Sequence, residues 1–104
     1  MNLSSLTPVD KIKLAAELDG WHRDGCEYDE ERWKRGTETH IGNPMRKAAT
    51  SYDAIIPLIQ KQTWDVRNNI DKYINEYLAF EFITTATPSQ LLDALLVATG
   101  KAEL

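Results

Sequence analysis

The stretch TPSQLLDALLVATG, residues 87–100, contains the clearest helix signals of the chain and its most apolar run. Thr87 is suited to N-cap the helix, the proline stands at the first helical position, and Gln90 completes a capping box. Gly100 provides a left-handed stop. Leucine, alanine and valine side chains surround much of this segment. We therefore predict a helix over Thr87–Thr99 that is the most buried of the protein, with Leu92, Leu95 and Leu96 nearly fully buried.

Residues 7–20 repeat the same helix punctuation. Thr7 is the predicted cap, proline follows it, Asp10 stands at the capping-box position, and Gly20 ends the segment. The two segments share little else, so we interpret them as two helices and not as an internal repeat.

Two more helices are predicted between them, over Ser51–Gln62 and Thr63–Tyr77. Pro57 cannot donate a backbone hydrogen bond, so the first of these is kinked or begins after Ser51. Apolar residues at helical spacing define the second. We expect Ile56, Ile59 and Ile70 in the core.

Strand signals are weaker. Phe80–Ile83 alternates and favours an antiparallel strand whose Phe82 reaches the core. Residues 21–35 predict a hairpin with a turn at Asp24–Gly25 and with Trp21 and Trp33 facing one core, although many helix formers leave a helix as the alternative. Residues 36–50 are interpreted as a loop. The expected fold is α+β, a small single domain with three to four helices on a short antiparallel sheet. If residues 80–83 continue the preceding helix, it is all-α.

Composition narrows the class of protein. A chain of 104 residues is one domain, and 16 acidic against 12 basic residues give a net charge of −4. Nucleic acid is therefore an unlikely partner, because binding it needs clustered cations. A single cysteine indicates a reducing cytoplasm, and no apolar run approaches the roughly 20 residues of a membrane helix.

Chemistry-bearing residues are few. His22, Cys26 and His40 give at most three soft ligands, whereas a structural zinc site needs four, so no metal is expected. No nucleophile motif surrounds Cys26. We expect no cofactor and no enzymatic activity.

The segment 21–47 is dense in both charge signs, and we expect binding activity to concentrate there. Its acidic run indicates either a solvated face with local ion pairs or a mimic of phosphate charge. Trp33 stands in a run of basic residues. It is either a ring that stacks on a ligand base or part of the core. A cavity lined by Arg32, Trp33, Arg35, Arg46 or Lys47 would favour a ligand, and a flat acidic-aromatic face would favour a macromolecular partner. The candidate partner-binding residues are Glu30, Glu31, Arg32, Trp33 and Arg35, together with Trp64 on the first turn of its helix.

Three stretches together resemble a known family: LAAELDGW (Leu14–Trp21), TSYDAIIPLIQKQ (Thr50–Gln62) and TATPSQLLDALLVATGK (Thr85–Lys101). Their order and spacing are similar to those of small bacteriophage and prophage proteins with the phage ABA-sandwich type of domain. The resemblance implies a small α+β domain with helices on a short antiparallel sheet, and no family catalytic motif carries over. The chain departs from the family pattern between Cys26 and Lys47.

The resemblance leads to one functional hypothesis and one alternative. The first is a non-catalytic phage accessory protein in the bacterial cytoplasm that binds a host protein or other macromolecule. Inhibition of a defence system, in the manner of an anti-CRISPR protein, is one form of that activity. The alternative is a module that sequesters a small anionic ligand such as a signalling nucleotide, or contacts nucleic acid. A structural or assembly role and a homo-oligomer stay open.

Overall fold

The computed structural model describes residues 2–77 and 86–104. A 3₁₀ turn at Leu3–Ser5 precedes the main elements. These are helix α1 (Pro8–Leu18), strands β1 (His22–Glu27), β2 (Glu30–Arg35) and β3 (Glu38–Ile41), and helices α2 (Tyr52–Gln60), α3 (Trp64–Tyr77) and α4 (Pro88–Ala98). The strands form an antiparallel sheet in the order β1-β2-β3. The α+β prediction is confirmed. No helix within the described residues is long and apolar enough to cross a membrane.

Both predicted capping boxes are present. The Thr7 hydroxyl accepts from the Asp10 N–H at 3.1 Å, and the Asp10 carboxylate accepts from the Thr7 N–H at 3.1 Å. At α4, the Thr87 hydroxyl accepts from the Gln90 N–H at 3.2 Å and the Gln90 side chain accepts from the Thr87 N–H at 2.9 Å. These local bonds fix where the two helices begin.

Removal of the α4 cap should have a measurable effect on stability. We expect Thr87→Ala to lower the free energy of unfolding by about 1 kcal/mol, because the Gln90 N–H loses its acceptor. Thr87→Ser keeps a hydroxyl and should retain most of the stability. Urea denaturation of the two variants measures the difference. Equal losses in both would show that the hydroxyl at this position does not cap the helix.

The predicted hairpin is confirmed, but its turn was misplaced. β1 and β2 are joined at Tyr28–Asp29, and both residues have positive φ (54° and 62°), as type I′ hairpin turns require. Asp24 and Gly25 instead lie inside β1, where the register shifts between Arg23 and Cys26. The two residues form a β-bulge with Gly25 at φ 91°. An Asp-Gly pair supplies a positive φ, which a bulge uses as readily as a turn.

The expectation of a loop over residues 36–50 is wrong for part of that segment. β3 lies within it and pairs with β2, with Arg35 opposite Glu38 and Arg32 opposite Ile41. Its residues are mostly polar and exposed, so an apolar alternation does not mark the strand. The predicted strand Phe80–Ile83 lies outside the described residues.

The predicted start of α2 is close to the observed one. Ser51 holds the N-cap position, but its side chain makes no capping hydrogen bond. Pro57 lies inside the helix, which begins at Tyr52.

The core lies around α4, as predicted. Leu92, Leu95 and Leu96 are fully buried, and Ile59 and Ile70 are also buried. The further members of the core are Ala15, Ala16, Trp21, Trp33, Met45, Ala48, Ile55, Leu58, Tyr73, Ile74, Ala86, Leu91, Ala94 and Ala102.

The prediction that Ile56 is a core residue is wrong, since it is only partly buried. The buried face of α2 passes through Ile55, Leu58 and Ile59, which follow one another at helical spacing. Ile56 packs against the core from a partly buried position beside that face. Phe82 lies outside the described residues.

Candidate functional site

β2 divides the predicted binding patch between two faces of the sheet. Successive side chains of a strand point to opposite faces, so Glu31, Trp33 and Arg35 share one face, and Glu30 and Arg32 share the other. Trp33 is buried, so its face is the one that packs on the helices. The predicted residues therefore do not form one surface.

Trp33 belongs to the core. Its side chain is 2% exposed, and its indole N–H donates to the Glu31 carboxylate at 3.1 Å. The interpretation of Trp33 as a ring that stacks on a ligand is thus wrong, and the alternative interpretation as a core residue is confirmed. Glu31 also pairs with Lys13 of α1 at 3.2 Å and with Arg23 at 3.8 Å. It connects the sheet to the first helix.

Arg35 is held in a network at the other end of β2. Its guanidinium donates to the Asp19 carboxylate at 2.9 Å and to the Asp19 carbonyl at 3.2 Å, and it pairs with Glu38 at 3.2 Å. The guanidinium carbon lies 4.6 Å from the centre of the Trp21 ring, a cation–π distance. Lys61 also contacts Asp19, at 2.6 Å. Arg35 therefore positions the end of α1 against the sheet.

Arg32 takes part in ion pairing on the opposite face. Its Nε donates to the Asp24 carbonyl at 3.0 Å, and its guanidinium lies 3.5 Å from the Asp24 carboxylate. Lys34 reaches the same carboxylate at 3.1 Å. The hydrogen bond from Lys34 is the main reason that the pKa of Asp24 lies below its ordinary value. For this stretch, the interpretation as a solvated face with local ion pairs is confirmed.

The exposed end of the β1–β2 hairpin is different. We call Glu27, Tyr28, Asp29 and Glu30 the hairpin tip. Tyr28 is 85% exposed, and Glu27 stands directly opposite Glu30 in the register. Within the described part of the chain, the side chains of the tip make no ion pair or hydrogen bond. Of the six predicted site residues, Glu30 is the one that belongs to this tip. Sequence reasoning missed Tyr28, although its position between acidic residues at a strand end was a usable signal.

Trp64 is exposed, as its place on the first turn of α3 predicted. Its side chain is 70% exposed, beside a shallow groove of about 280 Å³ that Arg67, Asn68 and Asp71 also line. It belongs to a second surface, on a different element from the hairpin tip.

The predicted soft ligands are not gathered into a site. Cys26 is exposed, with its sulfur 3.7 Å from the Arg23 guanidinium. His40 bonds the Gly42 carbonyl through Nδ1 at 3.1 Å and places its ring edge-on to Trp21. Residues 2–77 and 86–104 contain no group of three or more histidine, cysteine or acidic side chains arranged to hold a metal ion.

The pairing of Glu31 with Lys13 and Arg23 makes stability depend on pH. Burial raises the pKa of Glu31, but hydrogen bonds from Lys13 and Trp33 and the charges of Lys13 and Arg23 outweigh burial and leave it below its ordinary value. A lowered pKa stabilises the fold above the unfolded-state value of 4.5, and this stabilisation is lost as the pH falls through the folded-state value. We expect the free energy of unfolding to fall as the pH drops below about 4.5, and Glu31→Gln to flatten that fall. Urea titrations across this range measure it.

The matched control for this test is Glu17→Gln, because Glu17 is exposed and forms no ion pair with the described residues. The control should keep the pH dependence of the unaltered protein. If both variants gave the same curve, Glu31 would not be a source of the acid sensitivity.

Comparisons with protein-family models, with characterised proteins and with solved structures find no match to this chain. The resemblance of its three stretches to phage proteins therefore stays a prediction.

Proposed function

We propose that this chain is a non-catalytic phage accessory protein that works in the bacterial cytoplasm by binding a basic surface of a host protein. Inhibition of a defence system is the activity that we would test first. The resemblance of the three stretches to small phage proteins supports the biological setting. The hairpin tip supports the mode of action.

The main observation in favour of this proposal is that the hairpin tip combines features that oppose local stability. Glu27 and Glu30 place like charges directly across a strand pair, which is destabilising. Tyr28 has a left-handed backbone conformation that is uncommon for a residue with a large side chain. Strained residues of this kind concentrate at functional sites. The hairpin turn accounts for the positive φ of Tyr28, but it requires neither the like-charge pair nor the exposed tyrosine ring, and these two features support a role in recognition.

The chemistry of the hairpin tip defines its partner. Carboxylates that have no cationic partner in the described part of the chain attract a basic surface, and electrostatic complementarity of this kind speeds association and selects the partner. The net charge of −4 acts in the same direction. An exposed tyrosine adds an aromatic anchor of the type found at interface hot spots. Binding through this surface should weaken as the salt concentration rises.

The alternative of a small anionic ligand has lost its main support. Its predicted site combined Trp33 as a stacking ring with the arginines of β2, Arg46 and Lys47 as phosphate ligands. Trp33 is buried, and Arg32 and Arg35 already pair with carboxylates. The same observations weaken the proposal of a nucleic-acid contact through this patch.

The test is affinity capture from bacterial lysate with the tagged chain, followed by quantitative mass spectrometry of proteins and small molecules. The key variant carries Glu27→Lys with Glu30→Lys. It keeps a like-charge pair and therefore nearly the same stability, but it reverses the charge of the tip. We expect it to lose roughly tenfold or more of a basic protein that the unaltered chain captures. Tyr28→Ala should weaken the same capture.

The matched control carries Glu17→Lys with Glu103→Lys, which changes the net charge equally at two exposed positions away from the tip. It should capture the partner as the unaltered chain does. Equal capture by the tip variant and the control would refute the role of the tip. Recovery of a nucleotide instead of a protein would refute the proposed function.

A further inference from the structure

The exposed side of α3 carries a second surface with its own chemistry. We call Trp64, Arg67, Asn68 and Asp71 the α3 face. These residues line the groove of about 280 Å³, and their spacing of three and four residues puts them on one side of the helix. Apart from Trp64, the face is polar. It is therefore not a missing piece of the hydrophobic core.

Both charges of the α3 face lack a partner within the described residues. Arg67 and Asp71 take part in no ion pair or side-chain hydrogen bond there. They are four residues apart, but with the cation first, which is the less favourable order for a pair within one helix. Other charges of the chain are paired, such as Lys11 with Asp93 and Arg35 with Asp19. The α3 face thus has one cation and one anion without a partner among residues 2–77 and 86–104.

The α3 face carries one charge of each sign, and this indicates which kind of partner it binds. A polyanion would be repelled by Asp71, and a basic surface would be repelled by Arg67. A second copy of the same face meets both requirements when it is turned by a two-fold rotation. Two-fold interfaces are self-complementary in this sense, since each contact between two residues occurs twice.

We infer that two copies of this chain associate through the α3 face, with the two α3 helices antiparallel. Arg67 then lies opposite the partner's Asp71, and the same pair forms a second time across the axis. Asn68 falls close to the axis, where two amides can bond each other. Trp64 lies one turn further out and covers the partner's helix beyond its Asp71. This step is independent of the proposed function, because no residue of the hairpin tip takes part.

The α3 face is small, so the dimer is weak and depends on concentration. α3 has 14 residues and is about 21 Å long. One face of such a helix falls well below the roughly 800 Å² per partner of a standard interface. The dimer should therefore populate at high protein concentration and dissociate on dilution and at high salt.

Charge reversal at the two positions tests the inference directly. In a dimer of the Arg67→Asp variant, each new acidic side chain faces Asp71 of the other copy. In a dimer of the Asp71→Arg variant, each new basic side chain faces Arg67 of the other copy. Each single variant should dimerise at least about tenfold more weakly than the unaltered chain in sedimentation equilibrium. An equimolar mixture of the two variants should form a heterodimer, because all four facing charges are then opposite. The double variant should dimerise as the unaltered chain does.

Several outcomes would overturn the inference. The first is an unaltered chain that stays monomeric at the highest soluble concentration. The second is a pair of single variants that dimerise normally, and the third is a mixture that forms no heterodimer. Thermal unfolding of each variant separates lost association from lost folding. The tip variant Glu27→Lys with Glu30→Lys should dimerise normally, so failure of this proposal and failure of the proposed function are distinguishable.

Discussion

Trp33→Ala is expected to lower the free energy of unfolding by about 3–5 kcal/mol, the range for removing a buried aromatic ring. The ring is 2% exposed in the centre of β2 and fills space between the sheet and the helices. Its removal leaves a cavity and also takes the indole donor from the Glu31 carboxylate. Chemical denaturation measures the loss.

Trp64→Ala is the matched control, because it removes the same side chain from a position that is 70% exposed. It should change stability by no more than about 0.5 kcal/mol. If the two variants were equally stable, Trp33 would not be a core residue and its place in a binding surface would have to be reconsidered.

The helices could be predicted because their signals are local. The caps at Thr7 and Thr87 act within four residues, and the structure contains the same hydrogen bonds that the sequence indicated. The burial of the α4 leucines could be predicted because this helix is apolar around much of its circumference. Ile56 was misassigned because α2 has isoleucine at two successive positions, and the pattern alone did not show which of them faces the core.

The sheet was harder to predict for a different reason. Asp24–Gly25 carries the sequence signal of a turn, yet the observed turn is at Tyr28–Asp29, where the left-handed conformation is imposed by the pairing of the two strands. β3 is held by backbone hydrogen bonds to β2 and contributes little apolar surface. Strand pairing is a property of two segments, so neither segment displays it alone.

The candidate site was predicted only in part because the partners of its charged residues are distant in sequence. Arg35 forms an ion pair with Asp19, and Lys13 forms one with Glu31. No pattern in the segment 21–47 indicates either pair. Strand alternation alone could have assigned Glu31, Trp33 and Arg35 to one face. These three residues lie on the face that packs against the helices. The hairpin tip is then the candidate surface for recognition at that end of the sheet.

Leu95→Ala is expected to cost about 2–5 kcal/mol of unfolding free energy. Leu95 is fully buried in the middle of α4, the helix whose neighbours include α1, α2 and α3. Because interiors are packed like organic crystals, the surrounding side chains cannot close the space completely, and the lost contacts add to the lost burial. A value near the upper end would mean that the helices around α4 hold their places rigidly.

Leu104→Ala provides the comparison, since Leu104 is 58% exposed and loses the same atoms on substitution. It should change stability by no more than about 0.5 kcal/mol in the same urea titration. A loss below this value for Leu95→Ala would contradict the assignment of the buried face of α4. A large loss for Leu95→Ala with an unchanged slope of the unfolding curve would instead place the effect in the folded state, where the cavity forms. The core around α4 would then be the rigid support on which the hairpin tip and the α3 face are both displayed.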